Sequence, residues 1–135
     1  MTKKIVLLLI CVFCFPSVSS AYSISYNTQE MESVCGKGIN GFELRGCYVY
    51  NGARIYIREG LTAETRQRVI YHEWAHHLAR NMGPKDYERI FGEEYNPFQR
   101  EILAILYADY KMGTMKSGLS SKDWIALWRL DHQPR

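Results

Sequence analysis

Two of the four histidines in this 135-residue chain stand in His72-Glu73-Trp74-Ala75-His76, within LTAETRQRVIYHEWAHHLARNMG. On a helix, four residues advance roughly 400°, so the two imidazoles lie about 40° apart and ~6 Å along the axis. Imidazoles so placed can hold one Zn²⁺ at roughly 2.0–2.1 Å each. Glu73 sits beside them but off their line, so it can take a proton from zinc-bound water without occupying a coordination position. Chance places such an HExxH in about 1% of chains of this composition, and two ordinarily packed histidines are the competing reading. At 100° per residue, Thr65, Val69, His76, Ala79 and Arg80 fall near the azimuth of His72, whereas Ile70, Tyr71, Trp74, Ala75 and Leu78 take the opposite arc. A helix with apolar cover on one side and histidines on the other is expected to line a cleft.

A catalytic zinc takes three protein ligands and keeps one position open. The extension HExxHxxGxxH is excluded, because Ala79 and Met82 stand where it needs Gly and His. His77 is turned 100° from His76 and reads as a wall residue. His132 lies nearly at the C-terminus and is an outside candidate. Glu101 is better placed, near the start of the helix REILAILYADYKM, with Ala104 and Ala108 flanking its azimuth. Small residues there let two helices approach closely. The rest of that helix is apolar nearly all round, so it is expected to be buried, and a buried glutamate needs a partner.

With HEWAHH followed by REILAILYA, the segment from Arg54 to Met112 resembles the gluzincins, zinc peptidases with an HExxH helix and a downstream glutamate helix. It looks most like their small members, whose second motif reads ExxA. The resemblance implies Zn²⁺ held by His72, His76 and Glu101, with Glu73 as general base. It also implies a strand beside the active-site helix, here Ala53–Ile57, whose outer edge receives an extended peptide. In the larger thermolysin-like members an acid four residues after the ligand glutamate buttresses a histidine; Ile105 occupies that position here. The transition-state donor has four candidates, Tyr95, Tyr107, Tyr110 and His132, which the sequence does not rank.

These side chains need a scaffold. Tyr48-Val49-Tyr50 and Arg54-Ile55-Tyr56-Ile57 flank Asn51-Gly52, a dipeptide suited to a hairpin turn with φ > 0 at both positions. Thr62 is the candidate N-cap of the HExxH helix, which should stop near Asn81-Met82-Gly83-Pro84. Asn96-Pro97-Phe98-Gln99 reads as the start of the glutamate helix. Ser120 with Asp123 opens a last helix whose Trp124, Leu127 and Trp128 form a stripe expected to be core. Residues 22–34 read as an edge strand or loose chain, and 35–47, with four glycines, as a pinned connector. The expectation is an α+β domain, a small hairpin sheet over three helices, with no repeat or second domain.

The opening MTKKIVLLLICVFCFPSVSSA has a positive start, an 11-residue apolar run from Ile5 to Phe15, and small residues before Ala21. It reads as a secretory signal peptide over residues 1–21, cut after Ala21, since the run is shorter than the ~20 residues of a membrane span. Residues 22–135 would then be the mature domain. Losing Lys3 and Lys4 lowers the formal charge from +3 to +1, and no basic run remains to bind nucleic acid. Cys35 and Cys47 survive as an even pair, expected to form a disulfide in an exported protein.

Function at this stage is an expectation: an exported zinc metallopeptidase acting on peptide or protein, with no membrane anchor after cleavage. A zinc-stabilised binding or inhibitory module without turnover is the alternative, and hydrolysis of a non-peptide amide is a third option.

Overall fold

The computed structural model of the chain describes residues 22–80, 82–83, 85, 88–89, 97–115 and 119–133. The proposed signal segment, and Asn81, Pro84, Asp86, Glu93, Tyr95 and Asn96, lie outside the described residues. The elements run β1 (Ser23–Ser25), α1 (Thr28–Cys35), β2 (Gly38–Ile39), β3 (Phe42–Glu43), β4 (Gly46–Val49), β5 (Arg54–Ile57), α2 (Ala63–Arg80), α3 (Pro97–Met112) and α4 (Ser121–Asp131). The class is α+β, with four helices and sheets of three and two strands among the described residues.

The larger sheet has the order β1-β5-β4. β5 is parallel to β1, with Ile24 opposite Ile55, and antiparallel to β4, with Gly46 opposite Ile57 and Tyr48 opposite Ile55. Opposed residues share a face, so Gly46, Tyr48, Ile55 and Ile57 look toward α2, while Cys47 and Tyr56 look toward α1. On the α1 side the disulfide Cys35–Cys47, the Tyr56 hydroxyl donating to Glu30 at 2.9 Å and the Arg58–Glu32 pair at 2.9 Å tie the helix down. Met31, Ile55 and Ile57 are fully buried, each contributing about 1.5–3 kcal/mol by leaving water.

α2 is the middle layer because it carries two apolar or small rows. Ala75 and Ala79 pack with Leu103, Ala104 and Tyr107 of α3 and Leu127 and Leu130 of α4. A fully buried Tyr107 would leave its hydroxyl unpaired, and Asp131 accepts from it at 2.7 Å while Lys111 reaches the same carboxylate at 3.2 Å. The capping signals act as read: Thr62 Oγ1 accepts from Thr65 N–H, and Ser120 with Asp123 forms a reciprocal capping box.

Five expectations are corrected. Residues 28–35 form a helix, capped by Asn27, whose side chain accepts from Glu30 N–H. The connector 35–47 contains a hairpin, because Asn40 and Gly41 both take positive φ, 53° and 79°, and bring Ile39 opposite Phe42. Between β4 and β5 the positive φ values fall on Gly52 and Ala53 rather than on Asn51 and Gly52, so that connection is a four-residue turn. On α4 the buried face is Ala126, Leu127 and Leu130, while Trp124 and Trp128 are 45% and 55% exposed. The stripe therefore straddles the boundary of the core. α3 is likewise not wholly buried, since Phe98, Ile102 and Ile105 face outward.

Candidate metal centre

Three rows of residues, each spaced by four, divide α2. Ala75 and Ala79 face the helical core. Val69, Glu73 and His77 face the sheet. Between them Arg68, His72, His76 and Arg80 line a cleft with α3 as its far wall. Close approach of α3 is allowed by the nearly fully buried Ala104 and Ala108, and it brings Glu101 across to both histidines.

The three polar heads converge. His72 Nε2 lies 3.3 Å from His76 Nε2. Glu101 puts Oε2 3.1 Å from His72 Nε2 and Oε1 3.0 Å from His76 Nε2. Donors tetrahedrally arranged around an ion at 2.0–2.1 Å would stand roughly 3.3 Å apart, so this triangle has the dimensions of one metal's ligand set. Two imidazoles and one carboxylate are also the donor types such an ion takes. Among the described residues these three form the group able to hold a metal. Glu101 is 57% exposed at its side chain, so the buried setting expected for it is corrected. Its partners come from α2 across the cleft mouth rather than from a closed interior.

The electrostatics agree with mutual dependence. Hydrogen bonds from His72 and His76 hold the Glu101 carboxyl well below the usual carboxylate range. Burial opposes the charged form of His72, but the Glu101 hydrogen bond and the charges of Glu73 and Glu101 outweigh it and raise its pKa. Glu73 goes the other way. Burial raises its pKa against the pull of His72, His76 and the Tyr48 backbone N–H, which donates to it.

Glu73 is buried at 7% exposure, and what surrounds it comes from β4. Arg58 N–H donates to Arg45 C=O at 2.9 Å, so alternation turns the backbone groups of Arg45, Cys47 and Val49 toward β5 and those of Gly46 and Tyr48 outward. The Tyr48 N–H on that outer edge meets Glu73. Gly46 is the approach point: a Cβ there would lie 2.3 Å from Val69 Cγ1 and 3.1 Å from Glu73 Oε1. Two cavities of about 540 and 270 Å³ meet at Gly46, His72 and Glu73.

The strand Ala53–Ile57, expected to offer its edge to a peptide, does not have a free one. β5 is hydrogen-bonded on both sides, by β1 and β4. The open edge facing the cleft is that of β4, which no strand among the described residues pairs. The register explains the difference: β1 adds to β5 in parallel and closes its other side.

His77 is 3% exposed and stacks on Trp74, with Nδ1 3.0 Å from the Tyr48 hydroxyl. Burial, with the neighbouring Arg80 charge, lowers its pKa and keeps it neutral. It stays out of the metal group as the helical wheel suggests, but it packs between α2 and the sheet and lines neither cavity, so the wall position expected for it is corrected. Of the transition-state donor candidates, Tyr107 is spent on Asp131, Tyr110 packs against Trp124, and His132 stacks on Trp128 with Nδ1 2.8 Å from the Trp128 carbonyl. None of the three lines the cleft. Tyr48 and Tyr50 do, with Arg80 donating to the Tyr48 hydroxyl at 3.3 Å and lying 4.0 Å over the Tyr50 ring. Sequence reasoning missed Gly46 and Tyr48 because their parts are played largely by backbone, which no residue type announces.

No protein-family model, curated protein or solved structure matches the chain. Among the described residues, no helix is long and apolar enough to cross a membrane.

Proposed function

We propose that this chain is an exported zinc metallopeptidase of gluzincin type, with zincin-like packing of its α+β domain. The observation that carries the reading is the position of Glu73: a buried carboxylate with raised pKa, one residue from a His72/His76/Glu101 triangle of metal-ligand dimensions, on the floor of a cleft walled by an open strand edge. His72, His76 and Glu101 would hold Zn²⁺. When bound, the metal supplies Lewis acidity that polarises a carbonyl and lowers the pKa of water to about 7. Glu73, with its proton affinity raised by burial, takes the proton of the attacking water and passes it to the leaving amine. The outward N–H and C=O of Gly46 and the C=O of Tyr48 would orient an extended peptide along β4 by strand addition, the Tyr48 N–H being held by Glu73. The Cys35–Cys47 disulfide accords with an oxidising compartment, reached through the signal segment read in residues 1–21.

Glu73→Gln tests the reading. The variant should keep the fold and its zinc affinity, while peptide cleavage falls by ~10²–10⁴-fold. Cleavage at the wild-type rate would remove Glu73 as the base. A wild-type protein that binds zinc tightly yet cleaves no member of a broad peptide library would favour a binding module over a peptidase.

A further inference from the structure

Among the described residues, the charges lining the cleft outside the metal triangle and Glu73 have one sign. Arg45 and Arg68 border the smaller cavity, Arg80 and Arg100 the larger, and the only acids among the described lining residues are Glu73 and Glu101. Both acids are committed, and a bound divalent cation would offset them. Arg68 is neutralised by Asp109 of α3. Arg45 and Arg80 are different, since neither has a carboxylate partner among the described residues.

Arg80 is also oriented. Its guanidinium donates to the Tyr48 hydroxyl and lies 4.0 Å over the Tyr50 ring, which holds the planar fork in place while leaving donors for a ligand. It stands four residues beyond His76, about 6 Å along the helix. β4 runs from Gly46 beside Glu73 to its end near Tyr50 and Arg80, so a ligand extended along it at ~3.3 Å per residue meets the guanidinium about two residues from the reacting centre. Arg45 flanks the opposite end, next to Gly46.

We propose that this cleft selects polypeptide carrying acidic side chains, with Arg80 as the principal specificity residue and Arg45 as the second. The inference rests on the peptidase reading for what happens to the bound peptide. The charge preference itself is a property of binding. Arg80 gives a carboxylate a fork of hydrogen-bond donors and a charge in one place, whereas a glutamine in the peptide gains only the hydrogen bond.

The test uses the zinc-loaded full chain carrying Glu73→Gln, so that nothing is cut, and two labelled decapeptide pools identical except for Glu against Gln at every third position. Fluorescence anisotropy at low salt should give about tenfold tighter binding of the Glu pool. That preference should shrink at 1 M salt, where the screening length is ~3 Å. Adding Arg80→Gln should remove most of the preference, and Arg80→Lys should keep a good part of it. Equal binding of the two pools, no binding of either, or a preference that survives Arg80→Gln combined with Arg45→Gln would overturn the inference. Turnover by the wild type separates the two claims. Cleavage of both pools at equal rates with equal binding sinks the acidic selection and keeps the peptidase. Preferential binding of the Glu pool with no cleavage of either sinks the peptidase and keeps the acidic ligand.

Discussion

Gly46 on β4 and Glu73 on α2 touch so closely that the strand cannot carry a side chain at that point: an added Cβ would sit 2.3 Å from Val69 Cγ1 and 3.1 Å from Glu73 Oε1. Gly46→Ala must therefore displace the Val69 side chain or push β4 off α2. Overpacking of this kind typically costs ~1–3 kcal/mol, and the Tyr48 N–H that donates to Glu73 moves with the strand. The expected outcome is a lower unfolding midpoint and impaired turnover with zinc affinity nearly unchanged, read by denaturant titration, peptide cleavage and calorimetric metal titration. Loss of zinc affinity equal to that of a ligand variant would contradict the placement.

Glu101 and Asp109 are acids on the same helix with different partners, and their alanine variants should behave differently. Glu101→Ala removes the carboxylate that faces both histidines and should lower zinc affinity strongly. Asp109→Ala frees Arg68 and Thr114, a partly exposed pair worth at most about 1 kcal/mol of stability, and should leave zinc affinity within a few-fold. Metal titration of the two variants side by side decides whether Glu101 is the third ligand.

Joining Cys35 to Cys47 closes a loop over a sequence separation of 12, which stabilises by roughly 3 kcal/mol on the chain-entropy argument. Replacing both cysteines by serine should lower stability by about that amount, and the intact mass of the secreted protein should lie ~2 Da below its reduced form, as an oxidising compartment requires. Free thiols at both positions after secretion would contradict the export reading as well as the bond.

Asp131 sets a pH dependence well away from the cleft. Burial works against its charge, but the Tyr107 and Lys111 hydrogen bonds outweigh it and hold its pKa below the ordinary 3.8. A carboxylate whose folded pKa is depressed contributes stability above its unfolded pKa and loses it as pH falls through the folded one. The stability gap between wild type and Asp131→Asn should therefore be constant from neutral pH down to about pH 5 and close progressively in more acidic solution. Paired urea titrations across that range would show it, and a gap that widened toward acid would refute the assignment.

Much of the helical framework was legible because helices announce themselves locally. Thr62, and Ser120 with Asp123, each act within a few residues of their own position. The convergence of the candidate metal group was legible for the same reason: His72 and His76 are set by helical spacing alone, and Ala104 and Ala108 marked where α3 could come close enough to deliver Glu101. Strand order was not legible, because it depends on which distant segment adds to which edge. Nothing in Ser23–Ser25 states that it will pair with Arg54–Tyr56 in parallel and leave β4 outermost. Asn40-Gly41 between Ile39 and Phe42 carried the same hairpin signal as Asn51-Gly52 and was outweighed by the surrounding glycines. Trp124 and Trp128 showed the limit of a wheel, which gives a face but not how far the neighbouring layer extends over it.

The three rows of α2 have a consequence for how damage to this protein would appear. The candidate metal ligands belong to the half made of α2 and α3, whereas the strand that grips Glu73 belongs to the half made of the sheet and α1. On the proposed reading, an injury to the first half would empty the site, while an injury to the second would leave it loaded and idle. Metal content would then be a poor proxy for activity.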